Sequence, residues 1–338
     1  MELSHFIAIG ENIHCTRIVK REGKHAVRLP DGREVIRFAY EGEARELPIP
    51  PNWGEISPAF EEGKVKHVAV ALYQATEGDA ADVAADYLCS VARRQIDGGA
   101  AFLDVNVDEY ANDPARRAEA MTWLVSFLAE RFDTPLSIDS SDAGVIVTGL
   151  KACRDEAGPH MVNSASLERP DAVAVAAEHG ANVVASAAGA ETMPSTPDER
   201  LANFETLVAL LDNAGIPRDK VFLDPLVFPL STDPAHGEHF LETTRRAKAQ
   251  FEGVHLCGGL SNVSFGMPQR KLLNMVFTWL CVEAGTDSGI VDPAAMPIAA
   301  IEGLDPQSQP FQLARAFLLG EDMYGMAFIA AYREGRLG

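Results

Sequence analysis

Val221-Phe222-Leu223-Asp224-Pro225 is a short apolar run that ends in one carboxylate, and the same construction recurs three times. It appears at Leu136-Ser137-Ile138-Asp139-Ser140 and, ending in an amide, at Met161-Val162-Asn163-Ser164 and at Gly259-Leu260-Ser261-Asn262-Val263-Ser264. Each run has the length and apolar character of a buried strand. A carboxylate accepts a pair of N–H groups, and an amide offers both a donor and an acceptor. Four such tips on four strands point to one site for the edge of a planar, amidine-like ligand.

Working outward, apolar runs and amphipathic stretches alternate along the chain. Strands are expected at 6–13, 101–107, 136–140, 160–164, 182–187, 221–226, 254–260 and 288–292. Helices are expected near 79–97, 114–131, 142–154, 170–179, 197–214, 238–251, 269–283 and 310–320. Asp113-Pro114, Arg169-Pro170-Asp171 and Thr196-Pro197-Asp198 place proline where a first helical turn tolerates it. Gly98-Gly99, Gly180 and Gly215 supply stops. Strands alternating with helices eight times close most naturally into a (β/α)8 TIM barrel, an α/β fold whose sites lie at the C-terminal ends of the strands. Asn12, Asp104, Asn106, Asp139, Asn163, Asp224, Asn262 and Asp292 all fall at or just past such ends. Any one of them could be a plain helix cap, but that reading does not comfortably cover all eight. Asp104 and Asn106 share a strand face at a spacing of two.

Residues 15–78 break the alternation. Ala26-Val27-Arg28-Leu29 and Val35-Ile36-Arg37-Phe38 flank Pro30-Asp31-Gly32 as a small hairpin, and Pro48-Ile49-Pro50-Pro51 is a stiff extended piece. Leaving the first strand, this insertion is expected over the C-terminal face of a single domain spanning 1–338, with Tyr40, Trp53 and Phe60 forming an interface rim. The net charge of −20 argues against nucleic-acid binding, because no basic stripe displaces counterions. Five cysteines without a Cys-x-x-Cys pair argue against a disulfide framework or a zinc site. His236 and His239 have no second His/Cys cluster and read as solvated loop histidines, so no metal is expected. The stretch 1–10 is too short and acidic for a signal peptide, and no run reaches the ~18 apolar residues of a membrane helix. A cytoplasmic, soluble protein is expected.

Taken in order, these motifs resemble the pterin-binding methyltransferases: the methyltetrahydrofolate:corrinoid enzymes and the folate module of cobalamin-dependent methionine synthase. The resemblance begins at Ile9-Gly10-Glu11-Asn12-Ile13 and resumes at Arg93-Arg94-Gln95-Ile96-Asp97-Gly98-Gly99-Ala100. It then runs through Leu103-Asp104-Val105-Asn106-Val107 to Gly285-Thr286-Asp287-Ser288-Gly289-Ile290-Val291-Asp292. It implies a dihydropteroate-synthase-like barrel that moves a methyl group between N5 of tetrahydrofolate and the cobalt of a corrinoid (cobalamin). The cofactors implied are tetrahydrofolate or 5-methyltetrahydrofolate, with the corrinoid carried by a partner protein, and a homodimer is expected. By the same resemblance Asp139, Asn163 and Asp224 grip the pyrimidine ring, and Asn262 reaches N5. Asp104 and Asn106 support the ligand, Glu11 and Asn12 join the cofactor-binding set, and Arg270 is a candidate for the anionic part of folate. Asn262 and Asp224 are the expected catalytic pair.

Two departures sharpen the resemblance. Dihydropteroate synthase, the alternative, uses a lysine just after the seventh strand and an arginine–histidine pair near the eighth. Here those places read Ser261-Asn262-Val263-Ser264 and Ile290-Val291-Asp292-Pro293. The Asp-x-His-x-x-Gly signature of a cobalamin domain is absent, so the corrinoid must arrive from outside this chain. The insertion at 15–78 has no counterpart of that length in the family.

Overall fold

The computed structural model describes residues 3 and 5–337; Met1, Glu2, Ser4 and Gly338, which the expected domain 1–338 included, lie outside the described residues. The strands, in chain order, are β1 (Ile7–His14), β2 (Ile18–Lys20), β3 (Ala26–Arg28), β4 (Glu34–Tyr40), β5 (Glu43–Pro48), β6 (Lys64–Lys66), β7 (Ala100–Asn106), β8 (Leu136–Asp139), β9 (Met161–Ala165), β10 (Asn182–Ser186), β11 (Val221–Asp224), β12 (His255–Leu256) and β13 (Ser288–Val291). Eight of them form one sheet in the order β12-β11-β10-β9-β8-β7-β1-β13, with helices between successive strands. This is the (β/α)8 barrel that the alternation implies. The expected helices are found at Ala81–Asp97, Pro114–Ala129, Ala143–Ala152, Asp171–Glu178, Pro197–Asn213, His236–Gln250, Arg270–Ala284 and Gln309–Leu318.

Local chemistry explains the helix starts. Asp113 caps its helix by accepting from Ala115 N–H at 3.1 Å. Thr196, just before Pro197, and Glu199, in the first turn after it, form a reciprocal capping box, which satisfies two of the donors a helix start leaves without partners.

The chain divides into two compact units. One comprises Gly10–Asp97 and Phe102–His160 and holds the insertion. Its hairpin is present: β3 and β4 pair antiparallel with Val27 opposite Val35. A third strand, β5, follows through the tight turn Glu41-Gly42, where both residues take positive φ (51° and 83°). That geometry matches the twist of a hairpin, and glycine adopts it without a Cβ clash. The three-stranded sheet lies against helix Ala81–Asp97: the Phe38 and Tyr87 rings meet edge-on at 5.0 Å, and Arg45 pairs with Asp86. Val35, Ile36, Leu47, Trp53 and Phe60 are buried, each contributing about 1.5–3 kcal/mol of apolar burial; Trp53 and Phe60 are therefore core residues of the insertion and not the interface rim expected of them, because their rings are the large apolar groups this small layer has to bury. The two-stranded ribbon β2–β6 instead starts at the end of β1, where Cys15 N–H donates to the Asn106 carbonyl at 2.9 Å.

The other unit comprises Met1–Ile9, Gly98–Ala101 and Met161–Gly338. Here β10 pairs in parallel with β11, Ser186 opposite Asp224, and β11 with β12. The seventh and eighth barrel strands meet through Ile290 N–H to the Gly258 carbonyl at 2.9 Å and a bridge between Gly259 and Ile290. Its core is aromatic, with Phe240 on Phe277 and Phe317 on Phe328 at ring distances of 5.5 and 5.6 Å. Phe328 belongs to a last helix, Met326–Arg333, that was not expected from the sequence. Among the described residues no helix is long and apolar enough to cross a membrane.

Candidate active site

In the first unit, β1, β7 and β8 end side by side and present their polar tips together. The parallel register sets Asn106 opposite Asp139, and the Asn106 amide donates to Asp139 Oδ2 at 3.0 Å. The Asn106 carbonyl oxygen accepts Asp108 N–H at 3.0 Å, which fixes which way the amide faces. Asp108 in turn accepts from the Ser140 hydroxyl at 2.5 Å and from Ser141 N–H at 2.8 Å. Beneath them Asp104 is fully buried, with Oδ2 2.7 Å from His14 Nε2. Burial, and then the charge of Asp104, pushes the Asp139 carboxyl up to about 7. Burial opposes charge on His14, but its hydrogen bond to Asp104 and the charges of Asp104 and Asp139 outweigh that and raise its pKa. His14, Asp104 and Asp139 offer ligand atoms within 4.8 Å of one another, a grouping not expected from the sequence.

In the second unit the group is built on Gly258-Gly259. A Cβ on Gly258 would lie 3.2 Å from Asp224 Oδ1, and one on Gly259 would lie 2.9 Å from Asn262 Nδ2. The absence of side chains at this pair is what lets the carboxylate and the amide close over the backbone. Asp224 Oδ1 accepts Leu226 N–H at 2.8 Å, and Leu226 holds a left-handed φ of 71° to present it, a strain of order 1 kcal/mol kept where it orients a functional group. Burial pushes Asp224 up to about 6; the Leu226 N–H and the charge of Arg200 pull the other way. Asn262 sits in the 3₁₀ turn Leu260–Ser264. Arg270 braces that turn, donating from Nε to Ser264 Oγ at 3.1 Å and from Nη2 to the Ser261 carbonyl at 3.0 Å. Asn163 lies in β9, 9% exposed, and beyond it Arg169 donates to Ser164 Oγ at 2.8 Å.

The expected tips thus differ in use. Asn12 lies inside β1, and its N–H donates to Gln95 Oε1 at 2.9 Å. Glu11 pairs with Arg17 at 2.7 Å. Asp292 accepts from Ala294 and Ala295 N–H, both at 3.1 Å, the capping role that was its plain alternative. Neither His236 nor His239 is a solvated loop histidine: both are half-buried in helix His236–Gln250, which His236 opens against the Phe228 ring. Sequence reasoning misses His14, because a lone histidine four residues after Gly10 carries no signal until Asp104 is beside it. It also misses Arg200, which is fully buried on helix Pro197–Asn213 with no hydrogen-bond partner on any of its three guanidinium nitrogens. The nearby anions are Asp224 and Glu199, and Glu199 is engaged in its capping box.

A family model described as pterin binding enzyme matches residues 77–292. The methylcorrinoid:tetrahydrofolate methyltransferase of Eubacterium limosum is 27% identical over 250 residues, which cover 72% of this chain and 86% of that protein. Methionine synthase of Mycobacterium tuberculosis is 32% identical over 223 residues, covering 62% of this chain but 18% of that much longer protein. Dihydropteroate synthase from Stenotrophomonas maltophilia superposes with a TM-score of 0.53 at 19% identity, over 66% of this chain and 86% of that one; this is a likeness of fold alone.

Proposed function

The chain belongs to the pterin binding enzyme family, and from that premise we propose that it is a methyltransferase exchanging a methyl group between N5 of tetrahydrofolate and the cobalt of a corrinoid. The observation that carries this is that the Asp224 carboxylate and the Asn262 amide lie beside two adjacent glycines, Gly258 and Gly259. A carboxylate suits the N–H edge of a pterin, and an amide can hydrogen-bond N5 in either protonation state. A dihydropteroate synthase would need a lysine where Asn262 stands, and Ser261-Asn262-Val263-Ser264 offers none. The methylcorrinoid:tetrahydrofolate methyltransferase, matched over 86% of its length, supports the same choice.

In this proposal Asp139, Asn163 and Asp224 grip the pyrimidine ring of one pterin, with Asp104, Asn106, Glu11 and Asn12 in support. Holding the ring in a fixed orientation supplies the entropic part of catalysis. Asn262 follows the change of charge at N5, where transition-state stabilisation is gained. Arg270 reaches folate only if it leaves its two bonds to the Asn262 turn. The corrinoid is a substrate brought by a separate protein to a cytoplasmic homodimer, and the 15–78 insertion of the single domain helps receive it at the C-terminal face. The test is demethylation of methylcobalamin by tetrahydrofolate, followed by the corrinoid absorption spectrum. No transfer, with pteridine pyrophosphate and aminobenzoate condensed instead, would return the chain to the synthase class.

A further inference from the structure

The 3₁₀ turn Leu260–Ser264 has a geometry in which side chains three residues apart lie one above the other. Its burial follows that period. Leu260 and Val263 are both 0% exposed, whereas Asn262 and the next residue on its row, Phe265, both face solvent. Phe265 closes the turn: its N–H donates to the Asn262 carbonyl at 3.1 Å, and the residue is 63% exposed. The backbone beneath the ring is pinned. The Phe265 carbonyl accepts the Ser231 hydroxyl at 2.8 Å, and Leu230 N–H donates to the Val263 carbonyl at 3.0 Å, tying the segment after β11 to the turn. Exposed rings occur singly on many surfaces; this one stands on a fixed backbone, in register with the amide assigned to N5 and in the same compact unit. The Arg270 guanidinium lies 6.0 Å from the ring centre, and it keeps its charge there while its two bonds to Ser261 and Ser264 brace the turn.

We propose that Phe265 is a substrate-binding residue whose ring packs against the aminobenzoyl ring of tetrahydrofolate, so that the site selects the whole folate over a bare pterin. The inference rests on the proposal above that Asn262 meets N5. One 3₁₀ turn advances about 6 Å over three residues, and in tetrahydrofolate N5 is separated from the aminobenzoyl ring only by C6, C9 and N10. A ligand with N5 at Asn262 therefore brings its second ring within reach of Phe265, where two aromatic groups meet offset or edge-on. The glutamate carboxylates that follow enter the field of Arg270, whose charge acts without touching them. That charge favours the anionic tail of folate over the corrin, the reaction's other broad apolar group.

The test is calorimetry on the full-length wild type, Phe265→Ala and Phe265→Tyr with two ligands: tetrahydrofolate, and 6-methyltetrahydropterin, which has the same reduced pterin and no aminobenzoyl-glutamate. An aromatic contact is worth about tenfold in affinity. Phe265→Ala should therefore bind tetrahydrofolate about tenfold more weakly and bind 6-methyltetrahydropterin as wild type does. Phe265→Tyr keeps the ring and should match wild type toward both. Removing a ring this exposed leaves the core of the unit in place, which an unchanged thermal unfolding midpoint checks. Unchanged tetrahydrofolate affinity in Phe265→Ala, or an equal loss for both ligands, would overturn the proposal. A rise in KM for methylcobalamin with no change in tetrahydrofolate affinity would also overturn it, and would make the corrin the occupant. Wild-type protein that binds tetrahydrofolate but transfers no methyl group would overturn the methyl-transfer proposal instead, and the comparison of the two ligands would still decide the role of Phe265.

Discussion

Replacing Asp224 with asparagine should make the ligand-free protein more stable above pH 6 while weakening its hold on folate. Burial raises this carboxyl from 3.8 to about 6. At about 1.36 kcal/mol per unit, the two-unit shift corresponds to about 3 kcal/mol, an upper limit because the side chain is only partly enclosed. The sign follows from proton linkage. Between pH 4 and 6 the folded state keeps a proton that the unfolded chain has released, so stability falls as pH rises through this window and stays lower above it. Asparagine does not titrate and retains the oxygen that accepts Leu226 N–H. Thermal unfolding without ligand, from pH 4 to 8, should therefore show the two proteins alike at the acid end and Asp224→Asn more stable at the alkaline end. Calorimetry should show tetrahydrofolate affinity reduced, because an amide cannot accept both N–H groups of the pterin edge. A variant no more stable than wild type at pH 8, or a gap that does not vary with pH, would refute the claim that the site holds a destabilising carboxylate for its ligand.

Asn262→Ala should lower the rate of methyl transfer by on the order of 10²-fold or more while folate affinity falls much less, as steady-state kinetics and calorimetry together would show. Arg200→Met removes a fully buried charge without a hydrogen-bond partner. Urea denaturation should show stability unchanged or raised by about 1–4 kcal/mol, and the acid limb of folate binding should move to higher pH because the cation that lowers Asp224 is gone. Leu47→Ala, at a side chain with 0% exposure in β5, should cost about 2–5 kcal/mol. An unchanged melting temperature there would mean that the insertion sheet is not packed against its unit.

The barrel was legible because its elements announce themselves locally. Apolar runs such as Val221–Asp224 and capped starts such as Thr196–Glu199 depend on neighbours a few residues away, and each is found where the pattern placed it. The strand β5 was not legible. Its Glu-Ala-Arg-Glu run is polar, and only pairing with β4 and cover from helix Ala81–Asp97 make it a strand. Helix Met326–Arg333 was missed for a related reason: it is held by Phe328 on Phe317 rather than by a start signal.

The identities of Asp139, Asn163, Asp224 and Asn262, and the absence of a synthase lysine beside Asn262, belong to the sequence alone, since residue type and order need no coordinates. Which tip does what was decided by tertiary structure. Asp292 becomes a turn cap, Arg270 a brace, and His14 a partner of Asp104 ninety residues away. The charge states near pH 6 and 7 at Asp224 and Asp139 come first from burial. Burial is a property of everything packed around a carboxylate and is written in no single stretch of chain.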